Sequence, residues 1–165
     1  FLFSETITEN INFGMNESSK AKAVEYAQLA SIATEIERFP EGFETLVGER
    51  GVTLSGGQKQ RISIARALVK HPRILILDDS LSAVDASTEK QIQQNLDKVL
   101  SGKTAIIITH RIFSLIHFDN ILVVDDGTIL EQGTHEELLA RKGVYHEIYN
   151  RQMSESNEAV NIVGF

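Results

Sequence analysis

Asp78 and Asp79 close a continuous apolar run, Ile74-Leu75-Ile76-Leu77. Such a run reads as a buried parallel strand, and the carboxyl ends of strands in α/β folds are where ligands are held. An isolated Asp-Asp pair is also compatible with a solvated turn or a helix N-cap. Upstream, Leu54-Ser55-Gly56-Gly57-Gln58 stands at the entrance to a helix carrying Arg61, Ile62, Ala65 and Arg66. Two glycines there allow close approach of another group, and Ser55 can cap the helix while offering a hydroxyl. The helix N-terminus presents unpaired N–H groups and the positive end of a dipole, a natural seat for phosphate. Ser-Gly-Gly alone would equally be a flexible turn before an amphipathic helix. His110 follows a second strand-sized run, Ile106-Ile107-Ile108-Thr109. A single histidine after a strand is usually incidental, and His71, His117, His135 and His146 have no context beyond that of surface residues.

The longer string LSGGQ-x-Q-R-x-x-x-A-R-A-L, beginning at Leu54, resembles the ABC ATPase family, whose defining signature is LSGGQ. The resemblance implies that Ser55, Gly56, Gly57 and Gln58 contact the γ-phosphate of ATP held by a partner subunit. Ile74 to Asp79 resembles the family's Walker B motif, which implies Asp78 as the Mg²⁺ ligand and Asp79 as the carboxylate that polarises the attacking water. Ser80-Leu81-Ser82-Ala83-Val84-Asp85 resembles the D-loop, which places Asp85 with the nucleotide-binding set at the dimer interface. His110 matches the switch histidine, the second catalytic position. The ordered series of signature, Walker B, D-loop and histidine outweighs the bland reading of each part.

The chain departs from the family pattern in two places. Asp79 stands where glutamate is usual; its carboxylate sits about 1 Å further from the water, a misplacement that can cost on the order of 10²-fold in rate. The resemblance then implies a degenerate site, which binds ATP but hydrolyses it slowly, in one subunit of a heterodimer whose competent site is completed by this chain's signature. No phosphate-binding loop is present either: the Gly-Lys-Thr at Gly102-Lys103-Thr104 has Asp97, on a helix, where the loop needs its first glycine. This chain by itself is therefore expected to be inactive. Residues 1–14 resemble the stretch after the Q-loop in exporter-type members. Gly48-Glu49-Arg50-Gly51 resembles the exporter loop that meets the transmembrane domain, so Glu49-Arg50-Gly51 is the expected contact with that partner. The family implies ATP and Mg²⁺ as cofactors, a second nucleotide-binding domain as partner, and a place at the cytoplasmic face of a membrane. The competing readings are a non-transport ABC ATPase and a catalytically weak pseudo-ATPase module.

The elements that must position these residues follow from periodicity. Residues 1–70 read as a mainly helical, signature-bearing subdomain, with Ala21, Val24 and Ala27 to Ala30 at helical spacing and a short helix from Ser31 to Phe39 ended by Pro40 and Gly42. Residues 71–150 alternate strand and helix: Ile74 to Leu77, a helix from about Ser87 with Ile92, Leu96, Val99 and Leu100 on one face, then Ala105 to Thr109, a βαβ crossover. Asp126-Gly127 marks a hairpin, and Thr134 with Glu137 a capping box. Residues 151–165 lack periodicity and read as a frayed tail. The expected fold class is α/β, a partial P-loop NTPase-like ABC ATPase fold: helical subdomain plus the C-terminal part of the parallel-sheet core. A formal net charge of −7 argues against a nucleic-acid partner and against adhesion to anionic lipid. The absence of cysteine removes disulfides and thiolate metal sites.

Overall fold

The computed structural model describes residues 2–48 and 52–162. Glu49-Arg50-Gly51, the expected contact with a transmembrane domain, lies outside the described residues. Two compact units are present, one ending at Thr109 and the other beginning at His110.

In the first unit, helices α1 (Ile7–Asn12), α2 (Lys20–Leu29), α3 (Ala33–Glu37) and α4 (Gly56–Leu68) precede strand β1 (Ile74–Asp78), helix α5 (Ala86–Leu100) and strand β2 (Thr104–Ile108). Helix α1 is an element that periodicity missed; Thr6 caps it by accepting from the Glu9 N–H, a signal present in the sequence. Helix α4 forms because Ser55 and Gln58 make a reciprocal capping box ahead of a run rich in good helix formers. It stops where His71 turns to φ 47 and Pro72 follows, and it buries Ile62, Ile64, Ala65 and Leu68. These pack in one apolar cluster with Ile7 and Ile11 of α1, Ala23 and Ala27 of α2, Leu75 and Leu77 of β1, and Ile92 and Leu96 of α5. His71 is not idle: its ring meets the buried Tyr26 hydroxyl at 2.9 Å.

β1 and β2 pair in parallel, with Ile76 opposite Ile106 and Asp78 opposite Ile108. The α5 crossover between them matches the βαβ expectation. The strands are not buried on both faces, however. Leu75 and Leu77 face the core, whereas Ile74, Ile76, Ile106 and Ile108 are exposed, because no described element covers that side.

The second unit contains β3 (Ile121–Asp125), β4 (Thr128–Gly133), α6 (His135–Arg141) and α7 (Val144–Ile162). The β3–β4 hairpin turns on Asp126 (φ 44) and Gly127 (φ 72), the two positive angles that a two-residue hairpin loop demands. Thr134 and Glu137 form the expected capping box of α6. Residues 151–162 are not a frayed tail but continue α7; the segment has no glycine or proline to stop the helix, and Gln152 ties its first turn to the 110–112 segment. Ile112, Ile121, Leu138 and Tyr145 form the core of this unit. No described helix is long and apolar enough to cross a membrane.

Candidate functional site

The exposed N-terminus of α4 is built from both sides. The Ser55 Oγ accepts from the Gln58 N–H at 3.2 Å and the Gln58 Oε1 accepts from the Ser55 N–H at 2.9 Å. The Gln58 Nε2 donates at 3.0 Å to Glu35 of α3, and Arg61, nearly buried, donates to the same carboxylate at 2.6 Å and to the Ser31 carbonyl at 2.7 Å. Partial burial opposes the charge on Glu35, but hydrogen bonds from Arg61 and Gln58 outweigh it and hold the carboxyl below its ordinary range. Glu35 thus fixes the Gln58 side chain. Sequence reading missed it because an acid on a short polar helix carries no signal of a partner in another element.

Gly57 faces inward. A Cβ added there would lie 2.7 Å from the Ala83 carbonyl oxygen, while one on Gly56 would meet only the Ala83 Cβ at 3.4 Å. The second glycine is therefore required by contact with the chain's own segment after β1. That segment begins at Asp79, which sits at φ 46, a sparsely populated region for a residue with a side chain. The Asp79 N–H donates to the Ile108 carbonyl of β2 at 2.9 Å. Gln60, on α4, completes the turn: its Nε2 donates to the Asp79 carbonyl (3.2 Å) and to Ser82 Oγ (2.9 Å), and its Oε1 accepts from the Ala83 N–H (3.0 Å). The fold thus brings the glycine edge of residues 55–58 against the 79–83 turn.

Asp78 and Asp79 are both exposed. Asp78 ends β1 in phase with Ile74 and Ile76, so its carboxylate belongs to the uncovered face. No cluster of three or more candidate metal ligands exists among the described residues. The Asp78 and Asp79 carboxylates by themselves are a donor set of the kind Mg²⁺ uses only together with waters and substrate phosphates. Asp85 is engaged locally. Its Oδ1 accepts from the Ser87 hydroxyl at 2.6 Å and from the N–H groups of Ser87 and Thr88, capping α5 and holding its carboxyl well below the usual range. His110 opens the second unit, and the Gln152 side chain braces its segment, donating to the His110 carbonyl at 2.7 Å and accepting from the Ile112 N–H at 3.0 Å. Gln152 lies in the stretch expected to be a tail, which is why it was overlooked.

A model of the ABC transporter family matches residues 2–82. A probable multidrug resistance ABC transporter ATP-binding/permease protein of Bacillus subtilis, YheI, is 53% identical over 151 residues, covering 92% of this chain and 26% of that protein. Multidrug resistance protein pgp-1 of Caenorhabditis elegans is 50% identical over 156 residues, 93% of this chain and 12% of its own length. A bacterial Atm1-family ABC exporter, solved with ATP bound, superposes with a TM-score of 0.86 at 47% identity over 92% of this chain and 27% of that one. The chain thus spans about a quarter or less of the proteins it resembles.

Proposed function

From a chain that belongs to the ABC transporter family, we infer part of the ATP-driven motor of an exporter. The observation that carries this reading is the packing of a glycine-edged, exposed helix N-terminus against the turn that follows a strand-end carboxylate pair. The first offers N–H groups to a phosphate; the second offers oxygen to a phosphate-bound cation. In this reading Ser55, Gly56, Gly57 and Gln58 present the α4 N-terminus to ATP held by a second nucleotide-binding domain, and Asp85 stands at that interface. Asp78 would hold Mg²⁺, which neutralises phosphate charge when bound. Asp79 would orient and polarise water, His110 would contact the γ-phosphate, and residues 49–51 would meet the transmembrane domain. The helical stretch 1–70 and the strand-bearing stretch 71–150 would act as the signature-bearing and core portions of that motor.

The finer reading is an asymmetric pair. The short carboxylate of Asp79 supports a slow site in this subunit, with the working site in the partner completed by this chain's signature. The 165 residues alone, without a phosphate cradle, would not turn over ATP.

The test uses the full-length transporter assembled with its partner. Ser55→Asp and Ser55→Asn both retain a good helix cap, but only the first sets a negative charge facing phosphate. Ser55→Asp should abolish most ATP turnover and Ser55→Asn much less, while Asp79→Asn should leave most turnover in place. Equal turnover in the two Ser55 variants would remove phosphate from this helix end. Near-complete loss in both Ser55→Asp and Asp79→Asn would remove the asymmetry and leave the motor.

A further inference from the structure

We propose that Gln60 is a positioning residue that locks the Asp79–Ala83 turn to the signature helix, so that the two half-sites this chain contributes move as one body. The proposal rests on the functional reading above, in which residues 55–58 serve the partner's ATP site and Asp78-Asp79 serve the chain's own.

Three observations meet at this residue. First, the Gln60 side chain spends both ends of its amide on one turn: Nε2 on the Asp79 carbonyl and Ser82 Oγ, Oε1 on the Ala83 N–H. A planar amide that engages both donor and acceptor fixes its partner in orientation as well as distance. Second, the turn it holds needs holding. Asp79 is at φ 46, and such a conformation persists only where the surroundings over-determine it. The Asp79 N–H is tied to β2 through the Ile108 carbonyl and its carbonyl is tied to α4 through Gln60. The side chain between these two anchors is thereby aimed. Third, the same turn rests on the signature. The Ala83 carbonyl lies so close to Gly57 that even a Cβ would collide with it. Releasing the turn therefore loosens the glycine edge of α4 as well as Asp79, whichever of the two ATP sites is the working one.

Gln60 touches neither nucleotide nor water in this reading; it acts through Asp79 and Gly57. A residue that merely stabilised the fold would change the amount of assembled protein. A positioning residue changes kcat while leaving the affinity for ATP nearly intact.

The experiment compares wild type with Gln60→Met, which keeps side-chain length and loses every hydrogen bond, and Gln60→Glu, which keeps the acceptor for the Ala83 N–H and loses both donors. All are made in the full-length transporter with its partner, next to the two Ser55 variants. In Gln60→Met, hydrogen exchange at the Ala83 amide should rise about three- to tenfold, the effect of one ordinary hydrogen bond. Exchange along 62–68 should stay unchanged, and kcat should fall about tenfold with KM for ATP within twofold. In Gln60→Glu, Ala83 should stay protected to within twofold while kcat still falls. If Gln60→Met does not assemble, Gln60→Glu carries the test alone, and a wild-type kcat there overturns the proposal. It is likewise overturned if Gln60→Met leaves kcat within twofold, or raises KM by as much as it lowers kcat/KM. Should Ser55→Asp differ from Ser55→Asn while the Gln60 variants are silent, the positioning role alone fails. Should the two Ser55 variants be alike, the phosphate reading fails first.

Discussion

Gly57→Ala and Gly56→Ala should behave oppositely, although the glycines are adjacent in the first turn of one helix. Each substitution gains up to ~1 kcal/mol of helix propensity, less in a first turn than in an interior. For Gly56 little opposes that gain, since the new methyl touches the Ala83 Cβ at 3.4 Å. For Gly57 the methyl would stand 2.7 Å from the Ala83 carbonyl oxygen, and backbone on both sides must move. Overpacking of that kind costs about 1–3 kcal/mol. The two variants should therefore differ by about 2 kcal/mol in the local stability of the 79–84 turn, or ~30-fold in its opening equilibrium. The reporters are the Ala83 N–H, held by Gln60, and the Val84 N–H, bonded to the Leu81 carbonyl at 3.0 Å. Hydrogen exchange in the full-length transporter reads these amides as local opening. Gly57→Ala should accelerate both by ten- to a hundredfold, Gly56→Ala should leave them within threefold, and ATP turnover should follow the same order. Equal exchange in the two variants would refute the claim that the second glycine is demanded by the chain's own turn.

Gln152→Ala should unbrace the His110 segment: with two hydrogen bonds lost at ~1 kcal/mol each, exchange at the Ile112 amide should rise at least about fivefold, and an unchanged rate would assign the bracing elsewhere. Because the Glu35 carboxyl lies below its ordinary range, its contribution is complete above the unfolded-state pKa and is lost as pH falls through the lower folded value. Thermal unfolding should therefore lose more on acidification in wild type than in Glu35→Gln, and parallel losses would contradict the Arg61 and Gln58 contacts. For the 165-residue chain alone, the exposed Ile74, Ile76, Ile106 and Ile108 should drive self-association. Ile76→Thr with Ile106→Thr, which keeps β-propensity, should shift the sedimenting species toward monomer, whereas an unchanged distribution would place the association on another surface.

What the sequence announced were features whose cause is local. The Ser55 cap, the Thr134 capping box, the Asp126-Gly127 hairpin and the apolar run into Asp78 each depend on residues within a few positions of one another, and each is found where it was expected. The limits of reading lie in tertiary context. The run from Ile74 to Leu77 has the composition of a strand covered twice; that the sheet lacks partners follows from the missing phosphate-loop portion, but only the fold reveals that the open face is the one bearing Ile74 and Ile76. Gln60, Glu35 and Gln152 are polar residues on helices, for which a solvated face is the ordinary expectation. Their partners, Ala83, Arg61 and His110, lie in other elements, so no spacing rule links them. Asp85 lies in between: its cap on Ser87 and Thr88 is local in cause, yet the sequence reading gives this residue an interface role alone.

The backbone at residue 79 also bears on which residues selection can place there. Left-handed angles cost most L-residues roughly 1–2 kcal/mol, and asparagine and aspartate are the side chains that visit them most readily after glycine. Aspartate is therefore a comfortable occupant of this turn, even though its carboxylate is short for the chemistry proposed for it. Glutamate would reach further and sit less easily. If residue 79 has the role proposed for it, selection for folding and selection for hydrolysis pull this one position in different directions, a local form of the trade between stability and activity. A subunit relieved of hydrolysis by its partner would be free to settle on the residue that its backbone prefers.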